Sequence, residues 1–175
     1  YDPNRRIIVM LHGLASSPEA WVELANEILG DEALRQHYQI WQVYYPTNMP
    51  VALNHAMIRR ALGETLTHFD PSGQAPASSD LVLVGHSMGG VIARLMVSST
   101  DQSLVQLAAD HSRLTPQQIR RIDPMLRFEP FPNVSSAIFI AAPHRGTSVA
   151  GGRLGRWMAG FIRFPITVLE ELAHT

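Results

Sequence analysis

The sequence predicts an α/β fold built on a mostly parallel sheet, with helices on both faces. Short apolar runs alternate with stretches of helical periodicity, which is the pattern of parallel strands joined by crossover helices. With 175 residues, of which 46% are hydrophobic, the chain is long enough to bury one core. We therefore predict a single domain over residues 1–175.

Four apolar runs have the length and composition of buried strands. The first is continuous and rich in β-branched residues, and the second is aromatic and stops before Pro46. The third and fourth are short apolar runs of the same kind. The predicted strands are Ile7–Leu11, Tyr38–Tyr45, Leu81–Val84 and Ala137–Ala141.

Three helices are predicted between these strands. The first has Ser17 as N-cap and Pro18 at its first position, and Gly30 ends it. The second covers about 51–69, with apolar residues along one side. The third begins at Ser87 and continues to about Ser98.

Two further segments are candidates for a cap over the site. Residues 99–136 contain only a helix start at Thr115-Pro116, and so long an insertion in a crossover is typical of a functional cap or lid. Farther on, Trp157, Phe161 and Phe164 fall on one helical face. That spacing favours core packing, and the alternative is an amphipathic lid that contacts lipid at a membrane surface.

Composition excludes several classes of chemistry. The chain has no cysteine and no lysine, which excludes disulfides, thiolate sites, Schiff bases and Ser-Lys dyads. No histidines have metal-ligand spacing and no phosphate-binding loop occurs, so we predict no metal and no cofactor. The net charge of -1 and the scattered charges give no reason to expect nucleic acid as a partner. No apolar run is long enough for a transmembrane helix.

The motif with the clearest chemistry is Gly85-His86-Ser87-Met88-Gly89, which fits G-x-S-x-G between a strand and a helix. A strand that turns into a helix so abruptly strains the serine and brings backbones together, and the elbow glycines Gly85 and Gly89 leave room for that approach. Ser87 is therefore the predicted nucleophile. The alternative is a glycine-rich turn with an incidental serine.

The loop His12-Gly13-Leu14 follows the first strand and could approach Ser87 from there. An oxyanion requires two backbone donors, and we assign the N–H groups of Leu14 and Met88 to that role. The alternative is that the loop is only a turn.

Together, the stretches IIVMLHGLASS and LVLVGHSMGGVIAR resemble the α/β-hydrolase superfamily, in particular its bacterial lipase and serine-esterase branch. The segment 141–147, which contains PHRG, is similar to lipase-like members. The resemblance implies that the four strands correspond to the third to sixth of the family's eight. It also implies a pocket lined by His12, Gly13, His86 and His144.

In that family the acid and then the histidine follow later strands, so we expect both to lie beyond Thr175 and the chain to be a piece of a longer protein. His144 is the alternative base, since it lies past the carboxyl end of a strand. His86 is not expected to act as the base, since the geometry of the turn points it elsewhere and favours a packing role.

Two further groups of residues are poor candidates for the catalytic acid and base. Asp110 and His111 are adjacent, and adjacent residues on a helix do not face each other. Glu170, Glu171 and His174 lie within the last six residues and are interpreted as a solvated helix end.

The leading functional hypothesis is hydrolysis of carboxylic esters, with lipid or acyl esters favoured, through an acyl-enzyme on Ser87. An acyltransferase would use the same nucleophile. A hydrolase scaffold that only binds a ligand or partner is the third hypothesis. The expected partner is a small ester or lipid, with peripheral membrane contact as a further option, and the sequence indicates neither compartment nor oligomeric state.

Overall fold

The structure is a computed structural model, and it describes residues 1–100, 115–117, 120, 123 and 127–144. Its centre is a four-stranded sheet in which every pairing is parallel, in the order β2-β1-β3-β4. The strands are β1 (Arg6–Leu11), β2 (Tyr38–Val43), β3 (Leu81–His86) and β4 (Val134–Ile140). The predicted mostly parallel α/β sheet is confirmed.

Helices connect the strands as crossovers. A 3₁₀ turn at Pro18–Trp21 leads into α1 (Val22–Gly30), and α2 (Glu32–His37) follows at once. The long helix α3 (Val51–Phe69) and the short α4 (Pro76–Ser79) lie between β2 and β3. Helix α5 (Met88–Met96) begins directly after β3.

The helices cover both faces of the sheet because successive strand side chains point to opposite sides. Leu11 and Leu83 belong to the cluster that also contains Ile58 of α3 and Ile92 of α5. On the other face, Met10 belongs to a second cluster, with Trp21 and Leu24 from the opposite helix layer. The central strand β1 is therefore buried on both sides, as a continuous apolar run predicts.

Several elements differ from the sequence prediction; strand β2, for example, ends at Val43 rather than at Tyr45. Strand β4 begins at Val134, three residues before the predicted start, because the two serines at its beginning lowered the apolar signal. Helix α4 was not predicted, and neither was α2. Asp31 begins it, since its side chain accepts a hydrogen bond from the Leu34 N–H at 2.9 Å, but the helix buries none of its residues and so has no apolar stripe.

The two candidate cap segments lie mostly or wholly outside the described residues. Only the ends and a few positions of 99–136 are described, including helical residues at 116 and 117, and 151–164 is not described. Within the part of the chain that the structure describes, no helix has both the length and the apolar character needed to cross a membrane.

Candidate active site

Ser87 lies at the point where β3 ends and α5 begins. Its backbone has φ 52° and ψ -117°, a left-handed conformation that is costly for any residue with a side chain. The Ser87 N–H donates to the Ile140 carbonyl at 2.9 Å, and the Ser87 carbonyl accepts from the Gly90 N–H at 3.0 Å. The neighbouring strand end and the new helix therefore hold the turn on both sides.

Glycines make this turn sterically feasible. A Cβ on Gly89 would lie 2.1 Å from the Leu11 carbonyl oxygen, and one on Gly85 would lie 2.4 Å from the Gly89 carbonyl oxygen. Real Cβ atoms do not approach backbone so closely, so α5 can lie against the end of β1 only with glycine at these positions. Gly90 was not predicted as part of this turn, and a Cβ there would lie 2.5 Å from the Ala142 Cβ. The doubled glycine in the motif was the available signal.

The loop after β1 lies directly beside Ser87. A Cβ on Gly13 would be 3.2 Å from the Ser87 Cβ and 2.8 Å from the His86 Nδ1. The backbone of residue 13 thus contacts the serine turn itself. Leu14 follows and packs its side chain against the core on the α3 side.

Residues 45–47, which follow β2, fix this loop through hydrogen bonds. The Tyr45 hydroxyl donates a hydrogen bond to the His12 carbonyl, and the two rings stack with centroids 4.3 Å apart. Burial raises the pKa of Tyr45, which keeps the phenol protonated as a donor. One turn farther along, Thr47 accepts a hydrogen bond from the Ala15 N–H at 3.2 Å. Neither Tyr45 nor Thr47 was predicted from the sequence to support the site.

His12 was expected in the pocket lining, and its side chain is fully buried under the loop. Its Nδ1 lies 3.0 Å from the Gly13 carbonyl oxygen. The ring therefore fills the space between the loop and Tyr45 and supports the backbone that contacts Ser87.

The two predicted backbone donors are Met88, which follows the serine in the chain, and Leu14, which follows the Gly13 that contacts it. Met88 is the first residue of α5, where backbone N–H groups have no acceptor within the helix. The Leu14 N–H forms no hydrogen bond with any described residue. The assignment of these two N–H groups as oxyanion donors stays a prediction.

The Ser87 hydroxyl is half-buried and hydrogen-bonds no described residue, so no histidine of the described part activates it. His86 is exposed, and its ring lies against Gly13 rather than in the core. His144 is also exposed, and its ring meets Phe139 edge-on with centroids 4.8 Å apart. Neither imidazole hydrogen-bonds the serine.

A metal centre has no basis in the described residues, among which no three His, Cys, Asp or Glu side chains converge. What the arrangement offers is a strained serine at the end of a strand, a helix N-terminus beside it and a second backbone segment in contact.

Solved structures of two esterases share this fold. A lipase from Bacillus licheniformis in its mature form is 21% identical, with a TM-score of 0.51 over 89% of this chain and 48% of that one. Esterase B from Lactobacillus rhamnosis, inhibited by a tributyrin phosphonate, is 14% identical, with a TM-score of 0.54 over 91% of this chain and 45% of that one. The chain thus spans about half the length of the solved structures it matches.

A comparison with curated proteins found no match. A family model described as "Putative serine esterase (DUF676)" matches residues 2–153, which include all four strands and the Ser87 turn. The chain therefore belongs to this serine esterase family.

Proposed function

We propose that this protein hydrolyses carboxylic esters through an acyl-enzyme formed on Ser87. The observation that carries the proposal is the backbone of Ser87, held at φ 52° and ψ -117° between β3 and α5 with Gly13 in contact. A serine that serves only as a helix cap has no need of this conformation, and Ser87 does not cap α5 with its side chain. Family membership supports the same reaction class.

In the proposed reaction, the Ser87 Oγ attacks the ester carbonyl carbon and its proton passes to a general base. The carbonyl oxygen becomes an oxyanion, which accepts hydrogen bonds from the N–H groups of Met88 and Leu14. Collapse of this intermediate expels the alcohol, which takes up the proton from the base, and leaves Ser87 acylated. Water then attacks the acyl-enzyme and releases the carboxylic acid.

The general base and its carboxylate partner belong, in this proposal, to parts of the protein outside the described residues. The described histidines support this assignment because each is either exposed without contact to the Ser87 hydroxyl or buried elsewhere. His144 remains the described candidate whose backbone lies just beyond the end of β4.

Acyl or lipid esters are the proposed substrate class. The support is the resemblance of Pro143 and the residues after it to lipases, together with the apolar lid candidate at 151–164. Peripheral contact with a membrane surface through that segment is part of the same proposal.

Fluorophosphonate labelling of the natural full-length protein tests the nucleophile. We expect the reagent to modify the wild-type protein at Ser87, as located by peptide mass spectrometry, and to leave Ser87→Ala unmodified. Hydrolysis of a p-nitrophenyl acyl ester should fall by about 10³-fold or more in Ser87→Ala. The matched control is Ser99→Ala, which removes an exposed hydroxyl and should label like wild type.

Equal labelling of Ser87→Ala and wild type would refute the assignment. A full-length wild-type protein that neither labels nor hydrolyses the ester would favour a binding scaffold without catalysis. Hydrolysis that gives way to ester exchange when an alcohol is added at low concentration would favour an acyltransferase instead.

A further inference from the structure

A cavity lies between α3 and the segment that leads into β4. It has a volume of about 770 Å³, which is within the range of small-molecule sites. Neither Ser87 nor the loop at 12–15 lines it. No residue to which the proposed reaction assigns a chemical step lines this cavity.

Arg59 is the residue in this cavity that needs a partner. Its Nη1 is buried and has no hydrogen-bond acceptor among the described residues, although a buried cationic donor without an acceptor costs free energy. The guanidinium carbon lies 5.4 Å from the centre of the Phe131 ring, and this cation–π contact orients the group. The ring contacts the face of the guanidinium, so it does not satisfy the N–H donors in its plane, and none of these donors hydrogen-bonds a described residue.

The other two arginines of the cavity are already paired. The Arg60 Nε lies 2.7 Å from the Glu64 Oε1, and the Arg127 Nε lies 2.8 Å from the Asp123 Oδ2. Arg59 has no ion pair with any described residue. The positive charge that can attract an anion into the cavity is therefore that of Arg59.

His55 supplies a second unpartnered polar group. Its side chain is 1% exposed, and neither ring nitrogen has a hydrogen-bond partner in the part of the chain that the structure describes. Burial, assisted by the charge of Arg59, lowers the pKa of His55 to about 4, so the ring is neutral at pH 7 and offers one donor and one acceptor. The ring lies 4.4 Å from that of Phe128, and Glu129 lines the cavity as an exposed residue.

We propose that this cavity binds a small oxyanion, a carboxylate or phosphate group, whose oxygens accept hydrogen bonds from Arg59. An aromatic or apolar part of the same ligand would contact Phe128 and Phe131, the two rings in the wall. Planar guanidinium donors match both anions, which is why the chemistry is shared between them.

Calorimetric titration of the natural full-length protein with benzoate and with phenyl phosphate tests the site, with benzamide as the neutral analogue. We expect saturable binding of at least one anion and much weaker binding of benzamide. In Arg59→Met, which keeps an unbranched apolar side chain, affinity for that anion should fall by about tenfold or more. Arg60→Met is the matched control, since it alters a paired and exposed arginine at the same cavity, and it should retain binding.

The two anions distinguish the source: binding of benzoate alone indicates a carboxylate ligand, and binding of phenyl phosphate alone indicates a phosphate ligand. Equal binding of benzamide, or an equal loss in both variants, would overturn the proposal. Should Arg59→Met fail to fold, the wild-type protein still decides the matter through its imidazole NMR signals. Saturation with the anion must shift the His55 signals, and unchanged His55 signals would refute the site.

Discussion

At the scale of single residues, the site depends on a strained backbone at Ser87 and on hydrogen bonds that hold this turn and the neighbouring loop in place. The backbone conformation of Ser87 costs on the order of 1–3 kcal/mol. Hydrogen bonds to Ile140 and Gly90 on either side offset part of that cost. Tyr45 fixes the neighbouring loop through the hydrogen bond that its hydroxyl donates to the His12 carbonyl. The strain at Ser87 is thus sustained by contacts that do not involve its hydroxyl.

His55 makes stability depend on pH. Above about pH 6.5 the imidazole is neutral in both the folded and the unfolded state, so its full contribution is present. As the pH falls, the unfolded chain binds a proton first, because burial lowers the folded-state pKa to about 4. We expect the free energy of unfolding to fall between pH 6.5 and 4 by at most about 3 kcal/mol from this group.

Urea unfolding measured at several pH values checks this expectation. His55→Phe should flatten the curve in that window, and His68→Gln, which alters an exposed histidine, should leave it unchanged. An unaltered slope in His55→Phe would show that the acid sensitivity comes from other groups.

At the scale of elements, the junction of β1, β3 and α5 depends on glycine. Because a Cβ on Gly89 would lie 2.1 Å from the Leu11 carbonyl oxygen, α5 would have to move away from the sheet to accept one. Such a shift displaces Met88 and Ser87 as well. Packing of the helix and geometry of the serine turn are therefore the same structural requirement.

We expect Gly89→Ala to lower the free energy of unfolding by about 3 kcal/mol or more and to abolish fluorophosphonate labelling. Gly63→Ala is the matched control, since a Cβ there meets nothing within 4 Å in the middle of α3. It should stabilise the protein by about 0.5–1 kcal/mol, because alanine restricts the unfolded chain and favours helix. Equal urea midpoints for Gly89→Ala and wild type would contradict the proposed contact.

At the scale of the whole molecule, β4 is an edge strand of the described sheet. Among the described strands it pairs only with β3, so its outer edge has no partner there. Ile138 and Ile140 are 51% and 39% exposed on the face opposite α3 and α5. An unpaired edge beside exposed apolar side chains is a template for association with another chain.

We expect the 175-residue chain to self-associate as its concentration rises, as measured by light scattering. Ile138→Lys should reduce association by placing a charge beside the edge. Leu34→Lys, which adds the same charge on α2, serves as the control and should have little effect. If both variants reduce association equally, net charge rather than this edge governs it.

The sequence by itself determined the order of the four strands and of helices α1, α3 and α5, the parallel sheet and the position of the serine turn. These features follow from local patterns: a continuous apolar run indicates a buried strand, and glycines two positions to each side of a serine indicate a tight strand-to-helix turn. Helix α2 escaped because it buries no residue, and so leaves no periodic signal.

Only the tertiary structure decided which residues support the serine site and where the cavity beside α3 lies. Tyr45 and His12 are 33 positions apart, and their contact exists only because β1 and β2 pair in parallel and end at the same edge. Arg59 and Phe131 come from still more distant parts of the chain. Neither pair leaves a trace in local sequence, because burial and partnership between remote residues arise from packing rather than from periodicity.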